Sequence, residues 1–286
     1  MNIHKTKIDW ATHSWNPVTG CKHGCEYCYA RNIARRFGPR ATERPADGSQ
    51  IIELENYPGC YEMLAPANLV DGEGKTRTNN FPTGFAPTLH KYMLDFPEKK
   101  IAPGRIFVGS MTDLFGSWVP TRWIIQVLDA CAKAEQHRYL FLTKNPKRYA
   151  ELNHLALLPL GAAFWYGATA VNSAQATEAG QTFQELPVEA RTFLSVEPML
   201  CDITETEGWE ALRRGLELDW IIVGAMTGAG ARKNRPRREW IENLVSDAAA
   251  AQVPVFMKNS LQEIWGGELI QEYPKELEGG AGNEKA

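Results

Sequence analysis

From residue 105 onward the sequence alternates between short apolar runs and longer stretches of helical periodicity, and this alternation most restricts the fold. The runs are Arg105–Gly109, Arg138–Thr143, Phe164–Ala168, Arg191–Val196, Trp220–Gly224 and Val253–Met257. Each is near-continuously apolar, as strands buried on both faces are. Between them, Thr121–Gln136 repeats apolar side chains at Ile124, Ile125, Leu128 and Cys131, with Thr121 as a candidate N-cap. Pro146 opens another helix after Asn145, and Arg237–Ala251 carries Trp240, Ile241, Leu244, Val245 and Ala248 on one face. A further strand near Ser14–Val18 leads toward a helix at Tyr29–Phe37. Strand–helix alternation implies parallel βαβ units with right-handed crossovers. The expectation is an α/β fold, a TIM-like barrel or partial (β/α)6 barrel. A doubly wound open sheet satisfies the same periodicity.

Residues 38 to about 104 interrupt the rhythm with Pro, Gly, Asn and charge, which predicts an insertion between the first helix and the second strand. The polar end from Glu272, residues 272–286, is expected to be a disordered tail beyond a single unit of residues 1–271. The 286 residues exceed a typical domain, but α/β barrels of this size form one unit. A formal net charge of -3 excludes a global basic field, so any nucleic-acid contact must use a local patch. No apolar run approaches the roughly 18 residues of a membrane span, and the first ten residues carry no apolar signal core. A cytoplasmic protein with no membrane partner is expected, where thiols stay reduced. The six cysteines are then candidates for metal or redox chemistry before disulfides.

Three of them fall within eight residues, at Cys21, Cys25 and Cys28, spaced C-x3-C-x2-C. Thiolates are soft ligands that suit iron–sulfur clusters, zinc and Cu(I). Three protein ligands leave one iron of a [4Fe–4S] cube open, and an open position is what a catalytic metal needs. The competing reading is a structural zinc site completed by His23 or Cys60. Zinc motifs usually come as two such halves, and only one is evident here.

C-x3-C-x-aromatic-C, with Tyr27 at the aromatic position between a strand and a helix, resembles the radical SAM superfamily. That resemblance implies a radical SAM barrel with two cofactors, a [4Fe–4S] cluster and S-adenosyl-L-methionine (SAM). It implies that SAM chelates the open iron and that one electron breaks its S–C5′ bond to give a 5′-deoxyadenosyl radical. The electron would come from a donor such as flavodoxin or ferredoxin. Tyr27 would pack against the adenine or the cluster.

Parallel barrels carry their chemistry at the C-terminal strand ends. There stand Ser110, Thr112 and Asp113, then Lys144, then Thr169 and Asn172, then Glu197 before Pro198. In the superfamily the second strand end binds the SAM amino group, often through Gly-Gly-Glu-Pro. This chain lacks that stretch, so Ser110 and Thr112 are the candidate acceptors, with Asp113 behind them toward substrate. Lys144 is the candidate partner of the SAM carboxylate, Thr169 and Asn172 of its ribose or carboxylate, and Glu197 of cofactor or substrate. Simple helix capping is the alternative for Asn172. After the sixth strand the turn Gly224–Gly230 permits close backbone approach to a ligand. Cys201, four residues past Glu197, is a candidate hydrogen-atom donor to a substrate radical, while Cys131 reads as core.

The pieces WNPVTGC, GSMTDLFG, SVEP, DWIIVG and VPVFMKNS together resemble a phage-associated, radical SAM-like family, distantly similar to spore photoproduct lyase. Its members often carry Gly-Gly-Glu-Ser-Gly after the sixth strand, where this chain has Ala225 and Met226. Two basic runs, Arg232, Lys233, Arg235, Arg237 and Arg238, and Arg31, Arg35, Arg36 and Arg40, would suit phosphates. Trp15, Trp118 and Trp165 are candidates to stack on bases. A solvated surface and core packing are the plain alternatives. These features favour DNA modification or repair, or a nucleotide-like substrate. A peptide or partner-protein substrate, and a zinc-stabilised nucleic-acid-binding protein without catalysis, are the other readings.

Overall fold

The computed structural model describes residues 3–278 apart from 47, 49, 101, 216, 217 and 229. Its framework is an eight-stranded sheet whose spatial order follows chain order. The strands are β1 (His4–Lys5), β2 (His13–Trp15), β3 (Arg105–Val108), β4 (Arg138–Thr143), β5 (Phe164–Thr169), β6 (Arg191–Val196), β7 (Trp220–Val223) and β8 (Val255–Met257). β1 pairs antiparallel with β2, and every other pairing is parallel. A doubly wound sheet needs its strand order to reverse at a switch point; this one does not reverse. The connecting helices are α1 (Tyr29–Phe37), α2 (Thr121–Ala132), α3 (Lys147–His154), α4 (Ser173–Gln184), α5 (Glu207–Gly215) and α6 (Arg238–Ala250). The expected boundaries hold to within a few residues. Thr121 is not the cap of α2: Pro120 takes that place, and Thr121 Oγ1 accepts from Arg148 at 2.7 Å.

The two faces of the sheet differ. Helices α2 to α6 all send apolar side chains into one continuous core with Ile106, Phe141, Tyr166, Leu194, Val223 and Met257. The opposite face carries a separate, largely aromatic cluster built around Trp10. The Trp10 ring lies 4.7 Å from Phe107 on β3, 6.3 Å from Phe193 on β6 and 6.3 Å from Trp220 on β7. In a flat sheet β3 and β6 stand about 14 Å apart, three strand spacings. Both reach the same indole, so the sheet is curled around it. Gly167 makes the room on β5, since a Cβ there would stand 2.2 Å from the Phe193 ring.

The insertion folds into short strands. Thr88–His90, Tyr61–Met63 and Ile51–Glu53 form one small sheet with Val18–Thr19 from before the cysteine loop, and Arg44–Pro45, Ala67–Val70 and Thr76–Asn79 form another. Its main anchor is the buried Glu62 carboxylate, which accepts from Trp123 Nε1 and Arg122 of α2 at 2.8 Å each and pairs with Lys91 at 2.7 Å. α1 packs through Ala30 and Ala34 on Phe81 and Met111.

The expected disordered tail requires correction over residues 272–278. Trp220 Nε1 donates to the Glu272 carbonyl at 2.9 Å, and Arg138 Nε to the Glu276 carbonyl at 3.1 Å. Leu277 is fully buried in the aromatic cluster. A polar composition concealed one apolar anchor and two carbonyls that meet buried donors. Residues 279–286 lie outside the described residues. Among the described residues no helix is long and apolar enough to cross a membrane.

Candidate functional site

A cavity of about 320 Å³ opens at the C-terminal ends of the parallel strands, and Cys21, Cys25 and Cys28 all line it. All three thiols are free. Their loop is fastened to the strand ends by backbone. Gly20 N–H donates to the Met111 carbonyl at 2.9 Å, and Thr112 Oγ1 donates to the Gly20 carbonyl at 2.6 Å. Gly20 has φ +87°, and a Cβ there would stand 2.2 Å from the Ala86 carbonyl oxygen, so only glycine fits. Cys28 caps α1, its Sγ accepting from Arg31 N–H at 3.4 Å. Asn16, just past β2, holds the neighbouring turn: its Oδ1 accepts from Met111 N–H at 2.9 Å and Ser110 Oγ at 3.1 Å.

Burial pushes the Cys21 thiol up to about 12, and Asp113, Cys25 and Cys28 add to the rise against a backbone hydrogen bond at His23. Buried beside a carboxylate, the Cys21 thiol resists ionisation until a cation joins it, and a coordinating thiol is deprotonated outright. Three soft donors from one loop around one cavity fit an iron–sulfur cluster with an open position. Among the described residues no three His, Cys, Asp or Glu side chains already converge as a metal set.

Asp113 is the hub of this wall. Its Oδ1 accepts from Phe115 N–H at 3.1 Å and Thr143 Oγ1 at 2.7 Å, and its Oδ2 from Lys144 N–H at 2.9 Å and His23 Nε2 at 2.6 Å. The carboxylate thus ties the cysteine loop to the ends of β3 and β4. This corrects the expectation that Asp113 contacts substrate, because its acceptor sites are filled and it is buried. Thr112, expected to accept from SAM, donates its hydroxyl hydrogen to the Gly20 carbonyl and lines the cavity, which leaves its oxygen able to accept. Lys144 remains in the cavity, its Nζ donating to Tyr27 OH at 3.1 Å and lying 5.4 Å from that ring's centroid. Tyr29, at the start of α1, donates its OH to the Ser110 carbonyl at 2.6 Å and lines the same wall.

The opposite wall comes from β5, β6 and β8. Thr169, Ser195 and Glu197 line it, together with Lys258 just past β8, which pairs with Glu197. Lys258 was missed in the sequence, although reading the residue after every strand, the last included, finds it. His23 was weighed only as a zinc ligand. Asn16, Ser195 and Trp10 carried no signal beyond ordinary polar and core residues.

Other expected residues fall elsewhere. Asn172 caps α4, its Oδ1 accepting from Gln175 N–H at 3.0 Å, so the capping alternative holds. Cys201 does not line the cavity, and its thiol donates to the Val171 carbonyl at 3.6 Å. Arg232 and Lys233 are exposed and also outside the cavity lining, and Arg235 donates to the Glu263 carbonyl at 3.2 Å. Trp15 and Trp165 are core, while Trp118 lies edge-on to His23 at 4.7 Å.

The family model described as "Protein of unknown function (DUF5131)" matches residues 5–281, and the chain belongs to that family. No curated protein matches it. Among solved structures, a tyrosine-to-phenylalanine variant of spore photoproduct lyase aligns at 11% identity with a TM-score of 0.48, covering 89% of this chain and 78% of that one. A double variant of the same enzyme, with bound AdoMet and dinucleoside spore photoproduct, aligns at 12% identity with a TM-score of 0.48, over 93% and 77% of the two chains.

Proposed function

We propose that this chain is a radical SAM enzyme built on a partial barrel. Cys21, Cys25 and Cys28 hold a [4Fe–4S] cluster, with SAM at its open iron. One observation carries the reading: three free cysteines, spaced C-x3-C-x2-C in one loop, line a single cavity opposite polar strand ends. When bound, the cluster and SAM supply a 5′-deoxyadenosyl radical that abstracts hydrogen from substrate.

The chain's own residues bind and orient. The Lys144 ammonium, inside the cavity, pairs with the SAM carboxylate. The Ser110 carbonyl and hydroxyl face its amino group. Thr169 and the Glu197–Lys258 pair hydrogen-bond the ribose, and Tyr27 packs on the cofactor. Asp113 and Asn16 fix the cysteine loop. The substrate is a nucleobase in DNA or a nucleotide-like molecule. Support comes from aromatic side chains that line the cavity, Trp10, Phe107 and Tyr27 among them, and from exposed Arg35, Arg36 and Arg40 at the far end of α1. Free thiols suit a reducing cytoplasm, with a flavodoxin or ferredoxin as donor.

The structural-zinc reading needs a fourth ligand. Cys60 is not available to it, being buried outside the cavity with its thiol on the Trp118 carbonyl. His23 lines the cavity with Nε2 on Asp113, which leaves Nδ1 as the atom a zinc ion would take, so metal content decides between the two readings. The test is anaerobic reconstitution with iron and sulfide, then dithionite and SAM. The expected result is about four irons per chain and 5′-deoxyadenosine by mass spectrometry, both lost in Cys25→Ala. Zinc in place of iron, with no SAM cleavage, overturns the reading.

A further inference from the structure

Among the described residues His23 is the only histidine that lines the cavity, and it stands between Cys21 and Cys25 in the loop. Its place is fixed from three sides. The Asp113 carboxylate meets Nε2 at 2.6 Å. The Trp118 ring stands edge-on with its centroid 4.7 Å away, in a space that Gly116 keeps open, since a Cβ there would lie 2.5 Å from that ring. The His23 backbone N–H meets the Cys21 sulfur. The side chain is nevertheless 22% exposed, so a group bound in the cavity can reach it.

The fixed partner decides the tautomer. Asp113 already accepts from the Phe115 and Lys144 backbone N–H groups and from the Thr143 hydroxyl. A buried carboxylate with those donors is an acceptor, so Nε2 carries the hydrogen of the fourth contact. In the neutral ring Nδ1 then keeps a bare lone pair, and it has no hydrogen-bond partner among the described residues. An imidazole whose other nitrogen donates to a carboxylate is the usual form of a metal-bound histidine, oriented and made more basic by that bond. Imidazole suits iron as well as zinc.

We infer that His23 is a fourth, exchangeable protein ligand, whose Nδ1 takes the iron that the three cysteines leave open while SAM is away and yields it to the SAM amino and carboxylate groups. The inference rests on the proposed cluster for the identity of the metal and on the His23 geometry for the donor atom. The exchange replaces one lone-pair donor by others and moves no electron. It gives the open iron a protein donor in place of water and sets SAM binding against a ligand the chain already holds. SAM affinity is then reduced by the fraction of molecules in which the nitrogen is bound.

The test is pulsed EPR of the reduced cluster in protein carrying histidine labelled at the ring nitrogens, with and without SAM. The expected result is a nitrogen coupling that is present without SAM, disappears when SAM is added and is absent from His23→Gln. Glutamine keeps an N–H donor for Asp113 and offers iron no imidazole nitrogen. That variant should hold the same iron per chain and bind SAM more tightly, a direction that a purely structural His23 does not give. An iron-loaded protein without histidine coupling overturns the inference, as does a coupling that persists in His23→Gln or is unmoved by SAM. Should His23→Gln fail to load iron, the unaltered protein decides by its coupling and its response to SAM. A chain that takes up zinc and no iron fails the radical SAM reading separately. Cobalt(II) in place of that zinc then tests Nδ1 alone: visible bands that shift in His23→Gln support the ligand, and identical bands overturn it.

Discussion

The two walls of the cavity are built on opposite principles. On the cysteine side the polar groups are largely spent on the protein itself. Asp113 accepts four hydrogen bonds, Asn16 holds the Ser110–Met111 turn, and Thr112 closes on Gly20. On the far side Ser195 has no protein partner, and Glu197 and Lys258 have each other at partly exposed positions. A wall whose hydrogen bonds are satisfied internally is scaffold, and it sets where the cysteines stand. A wall with spare capacity is for contact. The same residue types thus do different work according to whether their partners lie in the chain.

The sharpest way to break this comparison is Asp113→Ala. It leaves His23, the Thr143 hydroxyl and two backbone N–H groups without their acceptor in a buried place. The expected loss is about 3–5 kcal/mol by denaturant unfolding, together with lower iron per chain after reconstitution. A variant with unchanged unfolding midpoint and full iron would remove Asp113 as the hub. Gly20→Ala comes next. Positive φ alone costs roughly 1–2 kcal/mol for a residue with a Cβ, and the contact with the Ala86 carbonyl adds to it. Cluster loading should suffer with it, since Gly20 immediately precedes Cys21.

Acid sharpens the comparison on the scaffold side. His90 is buried, and its Nε2 meets Thr19 Oγ1 at 2.9 Å, one residue before Gly20. Burial lowers its pKa from 6.5 to about 3. The unfolded chain therefore binds this proton first, and stability is lost as pH falls from about 6.5 toward 3. The expected drop between pH 6.5 and 4.5 is on the order of 2 kcal/mol, read by unfolding at each pH. His90→Asn should flatten that slope. An equal slope in both proteins would assign the acid sensitivity to other groups, such as His13, whose pKa burial and Lys100 lower to about 4.

What was legible in the sequence divides along the same line. The parallel strands were readable because strands covered on both faces need near-continuous apolar runs, and β4 and β6 match the expected bounds residue for residue. The cysteine cluster was readable because its spacing is that of soft metal ligands, and the structure brings all three to the cavity wall. Asp113 was found but misread, since position at a strand end does not reveal how many donors converge on a carboxylate. Arg232, Lys233 and Arg235 stand outside the cavity lining, since a basic run shows charge, not whether its connection turns toward the cavity. Trp10 was invisible as a lining residue. It lies three residues before the start of the first parallel strand, and only the curl of the sheet brings β3, β6 and β7 around it.

The smallest stability effect should come from the far wall, and there the comparison is most exposed to failure. The Lys258 and Glu197 side chains are 19% and 28% exposed, so water already offsets much of their attraction. Ion pairs reached by solvent contribute about 0–1 kcal/mol, and Glu197→Gln keeps the shape while removing the charge. Its unfolding midpoint should therefore shift little, and its iron content should match the unaltered protein. SAM affinity, by equilibrium binding without reductant, should fall about tenfold, as for a lost hydrogen bond to a charged group. Lys258→Met should behave alike, because either change leaves the remaining partner free to take up water rather than stranded in the core. If Glu197→Gln destabilises the fold as much as Asp113→Ala, both walls are scaffold and the contact surface lies elsewhere. If affinity falls while stability and iron hold, the far wall joins Lys144 and Ser110 in meeting the ligand.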